Sequence, residues 1–545
     1  MVSRGGLAVE RADYVIVGGG SAGCVLANRL SEDPAVRAIL LEAGDDENSF
    51  FVKMPSGTFK LIGRERYDWI YPVEPDPTIN DRVDVWAGGR MLGGSSAING
   101  LVYSRGIRGD YDLWREGGCT GWGFDDILPY FKKSERFSGP ASQFHGSLGE
   151  LAVAPATTIH PLAHAFVDSC AQAGMPLRDE YCAGDAAGAF YSLTTIENGR
   201  RCSARDAFLK PAMNRQNLRI VTDCVVDRIE LHDGRAVRVL AKRGGSPCIF
   251  EANGEIILSA GTLASPAILL RSGIGPAHEL IRNDIPVQHE LPGVGANLHD
   301  HNGVSIAKFV DIETYNQYTS PHRAIPHLLR YLLTRRGVMN TSVVHAMAYA
   351  SSKPGLPEPD TVISFMPYCV DVTGSAPAMH KRAGISIGAH PGRPKSRGRL
   401  TLFDRDPESR PRIENRLLGH PDDLAVLRAG MKLIQRIYST GDLARHVTGD
   451  LTPNPIPETD EEWDAFVRSQ ARGCYHPVGT CRMGVDSDAV VDAELRVHGV
   501  PGLRVIDASI MPNITSGNTN APTMMIAERG ADLIRQARVG SASVR

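Results

Sequence analysis

A strand, a glycine-rich turn, a helix and a second strand that ends in an acid stand at the start of the chain, and they restrict this region to a βαβ unit. Residues 15–17 are apolar without interruption, as a strand buried on both faces of a parallel sheet requires. Three glycines follow at the G-x-G-x-x-G spacing: Gly18, Gly20 and Gly23. The predicted helix begins near Ser21, so its free N–H groups and the positive end of its dipole point at the turn. A second apolar strand over residues 39–41 ends at Glu42, about 20 residues beyond the glycines.

Such a unit predicts a binding site for an adenine dinucleotide. The first glycine allows the tight turn, the second lets a pyrophosphate approach the backbone, and the third lets the helix pack closely on the strand. The carboxylate of Glu42 stands where it can accept hydrogen bonds from a ribose hydroxyl. The residues predicted to bind the cofactor here are Gly18, Gly20, Ser21, Ala22, Gly23 and Glu42. The pattern by itself does not distinguish NAD from FAD.

Length and composition narrow the class of protein. A chain of 545 residues is long enough for two or more domains. Its 59 basic and 62 acidic residues nearly balance, which argues against a nucleic-acid partner. No apolar run is long enough to cross a bilayer, so no transmembrane segment is predicted, although peripheral membrane contact stays open.

The cysteines and the N-terminal residues indicate a compartment. Ten cysteines are scattered without a C-x-x-C pair or a Cys/His cluster at zinc spacing, so no metal site is predicted. The first dozen residues lack the apolar stretch of a signal peptide. Free thiols in the cytoplasm are the expectation, with contact at the periphery of the inner membrane as the alternative.

Later segments continue the alternation of strands and helices. Residues 218–243 indicate strands, the last two joined by a His-Asp-Gly turn, and residues 254–275 indicate a buried strand, a small-residue turn and a helix expected to join the first sheet. The middle of the chain carries a strand-like run over 361–366 and a helical pattern over 422–439. Near the end, a loop leads into a helix with Pro522 in its first turn, so this helix N-terminus also favours negative charge.

Four separated segments resemble one family of flavoenzymes, the glucose–methanol–choline (GMC) oxidoreductases. Residues 89–112 and 261–275 resemble the two family signatures, while 475–484 and 507–528 resemble its active-site segments. The resemblance implies an α/β fold in which a discontinuous, Rossmann-like FAD-binding domain is interleaved with an α+β substrate domain built on an antiparallel sheet. The implied FAD-binding domain consists of residues 1–155, 203–305 and 475–545, and the substrate-binding domain of residues 156–202 and 306–474.

The resemblance also implies how the dinucleotide, now expected to be FAD, is bound. Small side chains at residues 93–96 suit a backbone that lies against a flat ring system. Some relatives attach the flavin covalently through a histidine at the position of Ile98, which cannot form that bond, so non-covalent FAD is expected. The further residues implied to contact FAD are Gly94, Asn99, Leu101 and Val102 near the flavin and ribityl chain, Val226 at the adenine end, and Asp507, Ala508 and Thr519.

His476 and Asn518 are the candidate catalytic residues. His476 lies in YHPVGT and matches the catalytic histidine of the family. An imidazole can remove a hydroxyl proton near neutral pH, while the alkoxide expels a hydride. Asn518, in GNTNAPT, matches the position where the family has a second His or an Asn, and its amide can donate to the alcohol oxygen. A helix N-cap is the alternative role for Asn518.

The predicted function is oxidation of a small-molecule alcohol, with electrons passed to a quinone or another acceptor. The motifs look most like the branch of bacterial choline and aliphatic alcohol dehydrogenases. A peroxide-producing oxidase is the second hypothesis, an FAD-containing hydroxynitrile lyase the third, and a non-catalytic FAD-binding protein the weakest. Choline would require aromatic or acidic groups, for which candidates exist: Tyr315, Tyr318, Tyr368 and Asp371. His299 stands where the family has Gln in NLQDH, and neither a metal nor a second base is predicted there.

Overall fold

The N-terminal βαβ unit forms part of a seven-stranded sheet in the computed structural model, which describes residues 9–185, 187–371 and 378–542. Five of these strands run parallel, and they are Leu218–Val221, Ala38–Leu41, Val9–Val17, Ser246–Leu258 and Leu503–Val505 in spatial order. Two antiparallel strands, Arg235–Arg243 and Cys224–His232, extend the sheet. In strand Val9–Val17, residues 14–17 are buried, as the apolar run at residues 15–17 predicted. The first half of the strand is more exposed.

Strand Ser246–Leu258 links the parallel and antiparallel parts of the sheet. Its first half pairs with Arg235–Arg243, and its end pairs with Leu503–Val505. The hairpin before it turns at Asp233 and Gly234, both with positive φ, so the predicted His-Asp-Gly turn is confirmed. The predicted strand–turn–helix unit that joins the first sheet is also confirmed, because helix Gly261–Arg271 follows directly.

Two helices separated by most of the chain pack together beside this sheet. Helix Ser21–Leu30 is buried over almost its whole length and contacts helix Asn520–Ala542. A buried ion pair between Arg29 and Glu528 joins them, with a shortest separation of 2.7 Å. This ion pair therefore fixes the two helices relative to each other. Pro522 lies in the first turn of helix Asn520–Ala542, as predicted.

A second, six-stranded sheet is antiparallel and has its own hydrophobic core. Its strands in spatial order are Ala346–Ala350, Thr361–Met366, Gly384–Pro391, Asn302–Val310 and Val447–Thr452, with Arg472–Gly473 paired to the start of Asn302–Val310. Three helices pack their apolar faces against it: Pro161–Gln172, Pro421–Tyr438 and Asp460–Gln470. The strand predicted over 361–366 and the helix predicted over 422–439 are thus confirmed.

Shorter elements connect these two layers. The remaining helices are Phe50–Lys53, Thr58–Leu61, Arg108–Glu116, Phe124–Ser134, Lys210–Ala212, Ala277–Arg282, Pro321–Thr334 and Gly441–His446. A four-stranded sheet contains Val102–Tyr103, Leu193–Thr194, Leu151–Pro155 and Glu135–Phe137. Five strand pairs complete the fold: Ile196–Glu197 with Arg200–Arg201, Ile274–Gly275 with His289–Glu290, Val370–Asp371 with Ala378–Met379, Arg399–Thr401 with Arg412–Glu414, and Tyr71–Pro72 with Val85–Trp86.

The α/β fold with a separate antiparallel sheet agrees with the predicted fold class, whereas the exact domain boundaries stay a prediction. Two large hydrophobic cores accompany the two large sheets. Within the described residues, no disulfide joins the cysteines. No helix in that part of the chain is both long and apolar enough to cross a membrane.

Candidate functional site

Two helix N-termini meet at the glycine turn. Ser21 is the first residue of its helix, and its hydroxyl donates a 2.9 Å hydrogen bond to the side-chain oxygen of Asn520, the first residue of the C-terminal helix. The free N–H groups and positive dipole ends of both helices therefore lie in the same region. This arrangement suits an anionic group such as a pyrophosphate.

The glycine turn has the geometry that the fingerprint requires. Gly18 has a φ of +101°, which favours glycine, and a Cβ on Gly23 would lie 1.8 Å from the carbonyl oxygen of Gly18. The buried Glu42 carboxylate accepts hydrogen bonds from the backbone N–H groups of Gly19 and Gly44, both at 2.8 Å. Burial raises the pKa of Glu42 to about 7. Glu42 thus braces the turn, and its remaining lone pairs can accept a hydroxyl.

The loop that contains Gly94 lies directly against this turn. The N–H of Gly93 donates to the carbonyl of Gly19 at 2.7 Å, and a Cβ on Gly94 would lie 2.7 Å from the Cα of Gly20. Beyond the loop, the Asn99 side chain accepts a hydrogen bond from Arg201 at 2.8 Å, and Leu101 has a φ of +67°. The structure therefore brings Gly94 against the fingerprint, although the two lie more than 70 residues apart in the chain.

The other predicted cofactor residues lie in several further elements of the fold. Asp507 holds the start of helix Gly261–Arg271, because its carboxylate accepts from the N–H of Gly261 at 2.9 Å and from the hydroxyl of Ser265 at 2.6 Å. Ala508 begins a 3₁₀ turn beside it. The remaining positions are as follows: Val102 is buried in a two-residue strand, Val226 is buried in strand Cys224–His232, Ala22 is buried in the first helix, and Thr519 directly precedes the C-terminal helix.

These residues fit a bound dinucleotide. Gly23 and Gly94 allow close backbone approaches that a Cβ would block, next to two converging helix N-termini. Ile98 is 2% exposed and packs in an apolar cluster with Met91 and Leu61. An isoleucine offers no nucleophilic atom, so this position supplies no covalent link to a flavin.

His476 and Asn518 lie in contact, and a second histidine extends the contact into a chain. The side-chain amide of Asn518 lies 2.9 Å from Nε2 of His476. On the other side of the ring, Nδ1 of His476 lies 3.0 Å from Nδ1 of His301. Nε2 of His301 in turn lies 3.1 Å from the carbonyl oxygen of Gly392. Asn518, His476, His301 and the carbonyl of Gly392 therefore form one line of hydrogen bonds, although they come from distant parts of the chain.

This line determines where the protons are. A carbonyl oxygen only accepts, so Nε2 of His301 carries a proton and donates it to Gly392. In the neutral ring, Nδ1 of His301 is then the acceptor, and Nδ1 of His476 must donate to it. Nε2 of His476 consequently keeps a lone pair, which accepts the amide N–H of Asn518. The free base position of His476 is Nε2, the nitrogen that faces Asn518.

Burial holds this histidine in its neutral form. Burial, with a smaller contribution from His390, lowers the pKa of His476 to about 3. Burial also lowers the pKa of His301, whose ring stacks on His390 at a centroid distance of 4.1 Å. The carboxylate of Asp300 accepts the backbone N–H of His476 at 2.8 Å, and burial raises the pKa of Asp300 to about 8. Tyr475 has a φ of +63°, a strained value for a non-glycine residue beside a candidate base.

The unusual histidine of the NLHDH segment has a structural role. Nε2 of His299 accepts the backbone N–H of Ile514 at 3.0 Å, so Nδ1 carries the proton and donates to the carbonyl of Asn297 at 2.6 Å. The buried Asp110 holds the same loop by accepting from the N–H of Ser516 at 2.7 Å. A glutamine, with one acceptor and one donor group, matches the pattern of neutral His299. These bonds anchor the loop that presents Asn518.

Among the described side chains considered for a choline cage, Tyr368 is not in ring contact with the other two tyrosines. Tyr315 and Tyr318 are ring neighbours at 5.9 Å, and the hydroxyl of Tyr315 lies 3.3 Å from His345. Tyr368 instead contacts Phe59, with ring centroids 5.5 Å apart. The side chain of Asp371 lies outside the described residues.

One further cluster combines metal-ligand residue types: His145, Glu180 and Cys182. Both nitrogens of His145 face carboxylates, Glu135 at 2.9 Å and Glu180 at 3.2 Å. Burial opposes the charged ring, but the hydrogen bonds that His145 makes with Cys182, Glu135 and Glu180 outweigh it and raise the pKa of His145 to about 11. A protonated ring in an ion pair explains this cluster.

Comparison with known proteins identifies the family. The profile described as GMC oxidoreductase matches residues 12–303 with its N-terminal part and residues 394–527 with its C-terminal part. The chain belongs to the GMC oxidoreductase family. It is 38% identical to an oxygen-dependent choline dehydrogenase of Sinorhizobium medicae (strain WSM419), over 96% of this chain and 95% of the relative. It is 37% identical to an alcohol dehydrogenase [acceptor] of Pseudomonas putida, with the same shares covered.

A solved structure of this GMC oxidoreductase fold gives the same result. The crystal structure of pyridoxine 4-oxidase from Mesorbium loti superposes with a TM-score of 0.88 at 32% identity, covering 96% of this chain and 99% of that chain. The predicted family and fold class are confirmed. The roles predicted for individual site residues stay predictions.

Sequence reasoning missed three residues that lie around His476. His301 and Asp300 both belong to the NLHDH segment, in which His299 is the unusual residue, and His390 lies in a strand of the second sheet. A signal for His301 was present, because it lies in the NLHDH segment, where the family has NLQDH. Its contact with a histidine 175 positions later is not visible from spacing.

Proposed function

We propose that this chain is an FAD-dependent alcohol dehydrogenase of the cytoplasm that oxidises a small-molecule CH–OH group to an aldehyde or ketone. The observation that carries the proposal is the 2.9 Å contact between Nε2 of His476 and the amide of Asn518, with the lone pair on Nε2. The electrons pass to a quinone or to another acceptor other than oxygen. Relatives named as choline dehydrogenase and alcohol dehydrogenase [acceptor] support this class of reaction.

The residues of the chain divide the work at the substrate oxygen. Nε2 of His476 takes the hydroxyl proton, and the Asn518 amide donates a hydrogen bond to the oxygen as negative charge develops there. His301 holds the His476 ring in the tautomer whose lone pair faces the substrate. When bound non-covalently at the glycine turn, FAD would supply the acceptor for the hydride of the substrate carbon.

An oxygen-using alcohol oxidase is the second candidate function. The match to a solved pyridoxine 4-oxidase favours it, as does the word oxygen-dependent in the name of the choline dehydrogenase relative. The same base and amide would serve both reactions, so the acceptor distinguishes them. A hydroxynitrile lyase is the third candidate and would involve no net redox change.

Anaerobic titration of the purified holoenzyme tests the proposal. We expect primary alcohols, choline, polyols or aromatic alcohols to bleach the flavin absorbance, and a quinone analogue to restore it. Rapid restoration by oxygen with formation of peroxide would instead establish an oxidase. A flavin that no alcohol bleaches, while a cyanohydrin is cleaved, would establish a lyase.

Replacing His301 by leucine is expected to slow flavin reduction by about 10–100-fold. The change leaves the Nδ1 proton of His476 without its acceptor, so the ring is free to adopt the other tautomer, which has no lone pair at Nε2. Stopped-flow reduction by a saturating alcohol measures the effect on chemistry separately from binding.

His301→Asn provides the matched control for that experiment. The asparagine Oδ1 can replace Nδ1 as an acceptor, so this variant should recover most of the lost rate. Equal rates for the leucine and asparagine variants, with unchanged flavin spectra, would contradict a role in setting the tautomer.

The reduction rate is expected to change by less than about twofold between pH 7 and pH 5.5. A base must be neutral to act, and the pKa of about 3 keeps His476 neutral over this range. With an ordinary histidine pKa near 6.5, about nine-tenths of the base would be protonated at pH 5.5, and the rate would fall about tenfold. Burial lowers the pKa of His301 and of His390, so both rings beside His476 stay neutral here. Burial raises the pKa of Asp300 to about 8, so this carboxyl group stays mostly protonated below pH 7. A decline with a midpoint near pH 6.5 would contradict this prediction.

A further inference from the structure

Helix Pro321–Thr334 presents an apolar face to solvent. Tyr331 is its buried anchor at 1% exposure, and its hydroxyl donates to the carbonyl of Gly199. Four large apolar residues lie at the spacing of one helix face and are exposed: Ile325, Leu329, Leu332 and Leu333. Leu333 is 84% exposed. By helical periodicity this face points away from the side of Tyr331.

A second apolar segment adjoins the helix. Phe50, Phe51, Phe59 and Ile62 are all exposed large apolar residues within residues 48–64. The Phe50 ring contacts Tyr331 of the helix with centroids 6.1 Å apart. Lys53 and Arg335, one from each segment, line the same surface cavity of about 670 Å³. This segment therefore contacts the helix on the side of Tyr331, away from the exposed face. We call the exposed helix residues the apolar patch: Ile325, Leu329, Leu332 and Leu333.

Basic residues near both ends of the helix give the apolar patch a cationic border. Residues 314–336 contain four arginines and no Asp or Glu. The whole chain has a formal net charge of −3, so positive charge is concentrated in this segment. One of these cations, Arg323, forms an ion pair with Glu313 just outside the segment. The others are Arg330, Arg335 and Arg336.

We propose that the apolar patch docks on the surface of a bilayer that contains anionic lipid. A helix with an exposed apolar face and basic flanks lies in the plane of a membrane interface, with its apolar side chains among the acyl chains. Lysine and arginine residues beside it are attracted to anionic headgroups. A second copy of the chain is a poor occupant, because pairing two such patches would place cationic borders against each other.

Vesicle co-sedimentation of the holoenzyme tests the proposal. We expect wild-type protein to sediment with vesicles of phosphatidylcholine and phosphatidylglycerol, and to do so much less with phosphatidylcholine alone or in high salt. The triple variant Ile325→Asn/Leu329→Asn/Leu333→Asn should lose binding by at least about tenfold. Arg330→Glu/Arg336→Glu should weaken binding to the anionic vesicles selectively.

A matched control and a second readout separate the possible outcomes. Leu148→Asn/Ile281→Asn removes two exposed apolar residues outside the patch and should bind vesicles like wild type. All variants should keep turnover with a soluble dye, which shows that they are folded whatever the natural substrate is. Equal sedimentation of wild type and the triple variant would overturn the proposal. So would a wild-type dimer that the triple variant converts to a monomer, without vesicle binding by either.

If vesicle binding holds, the acceptor can be tested next. A quinone embedded in the vesicles should be reduced more slowly by the triple variant than by wild type, with equal rates on the soluble dye. Vesicle binding without quinone reduction would leave the docking surface in place and count against the proposed acceptor alone.

Discussion

Replacing His476 by alanine is expected to lower the rate of anaerobic flavin reduction by an alcohol about 10²–10⁴-fold. The change removes the Nε2 lone pair that lies 2.9 Å from the Asn518 amide. No proton acceptor then remains at that position, so the hydroxyl proton must leave to water. Stopped-flow absorbance of the holoenzyme, mixed with its preferred alcohol in the absence of oxygen, measures the rate.

His299→Gln is the matched control for loss of an imidazole in this region. His299 is buried and uses both ring nitrogens for backbone hydrogen bonds, and glutamine can make the same two bonds. The flavin reduction rate of the His299→Gln variant should stay within about threefold of that of wild type. A His476→Ala enzyme that also stays within that range would show that another group is the base.

Replacing Arg29 by methionine is expected to cost about 3–5 kcal/mol of stability, because it leaves a buried carboxylate without its main partner. The Glu528 side chain is 0% exposed and accepts hydrogen bonds from Arg29 at 2.7 and 2.8 Å. The pair joins the two helices whose N-termini meet at the glycine turn. We therefore expect both a lower unfolding temperature and an earlier release of FAD, followed by circular dichroism and flavin fluorescence.

Arg535→Met is the matched control, since Arg535 is partly exposed and also pairs with a carboxylate, Glu32, in the same region. An exposed pair of this kind contributes about 0–1 kcal/mol. The double variant Arg29→Met/Glu528→Leu should recover part of the loss by removing both charges. Identical unfolding temperatures for Arg29→Met and Arg535→Met would contradict the buried-pair argument.

Local sequence patterns predicted the elements that depend on neighbours along the chain. The apolar run at residues 15–17, the glycine spacing and the hairpin turn at Asp233 and Gly234 are set by contacts over a few residues. The same holds for helix Pro421–Tyr438, whose apolar periodicity is visible in one segment. Such elements were predicted with nearly the observed bounds.

The candidate site depended on resemblance and on contacts across the chain. His476 and Asn518 were paired because each matches a family motif, and the structure places their side chains 2.9 Å apart. The role of His301 was not predicted, because its partner lies 175 residues away. Glu42 was expected to face a ribose, and the structure adds its two bonds to the glycine turn.

The sequence by itself determined the dinucleotide fingerprint, the family and the two residues proposed to act on the alcohol. Residue type and short spacing carry the fingerprint, whereas the resemblance of four segments to family motifs carries the family and the two residues. Only the tertiary structure decided the tautomer of His476, since that depends on which distant carbonyl receives the proton of His301. It also decided that the apolar side chains of helix Pro321–Thr334 face solvent, because burial depends on what packs against a helix and not on its own periodicity.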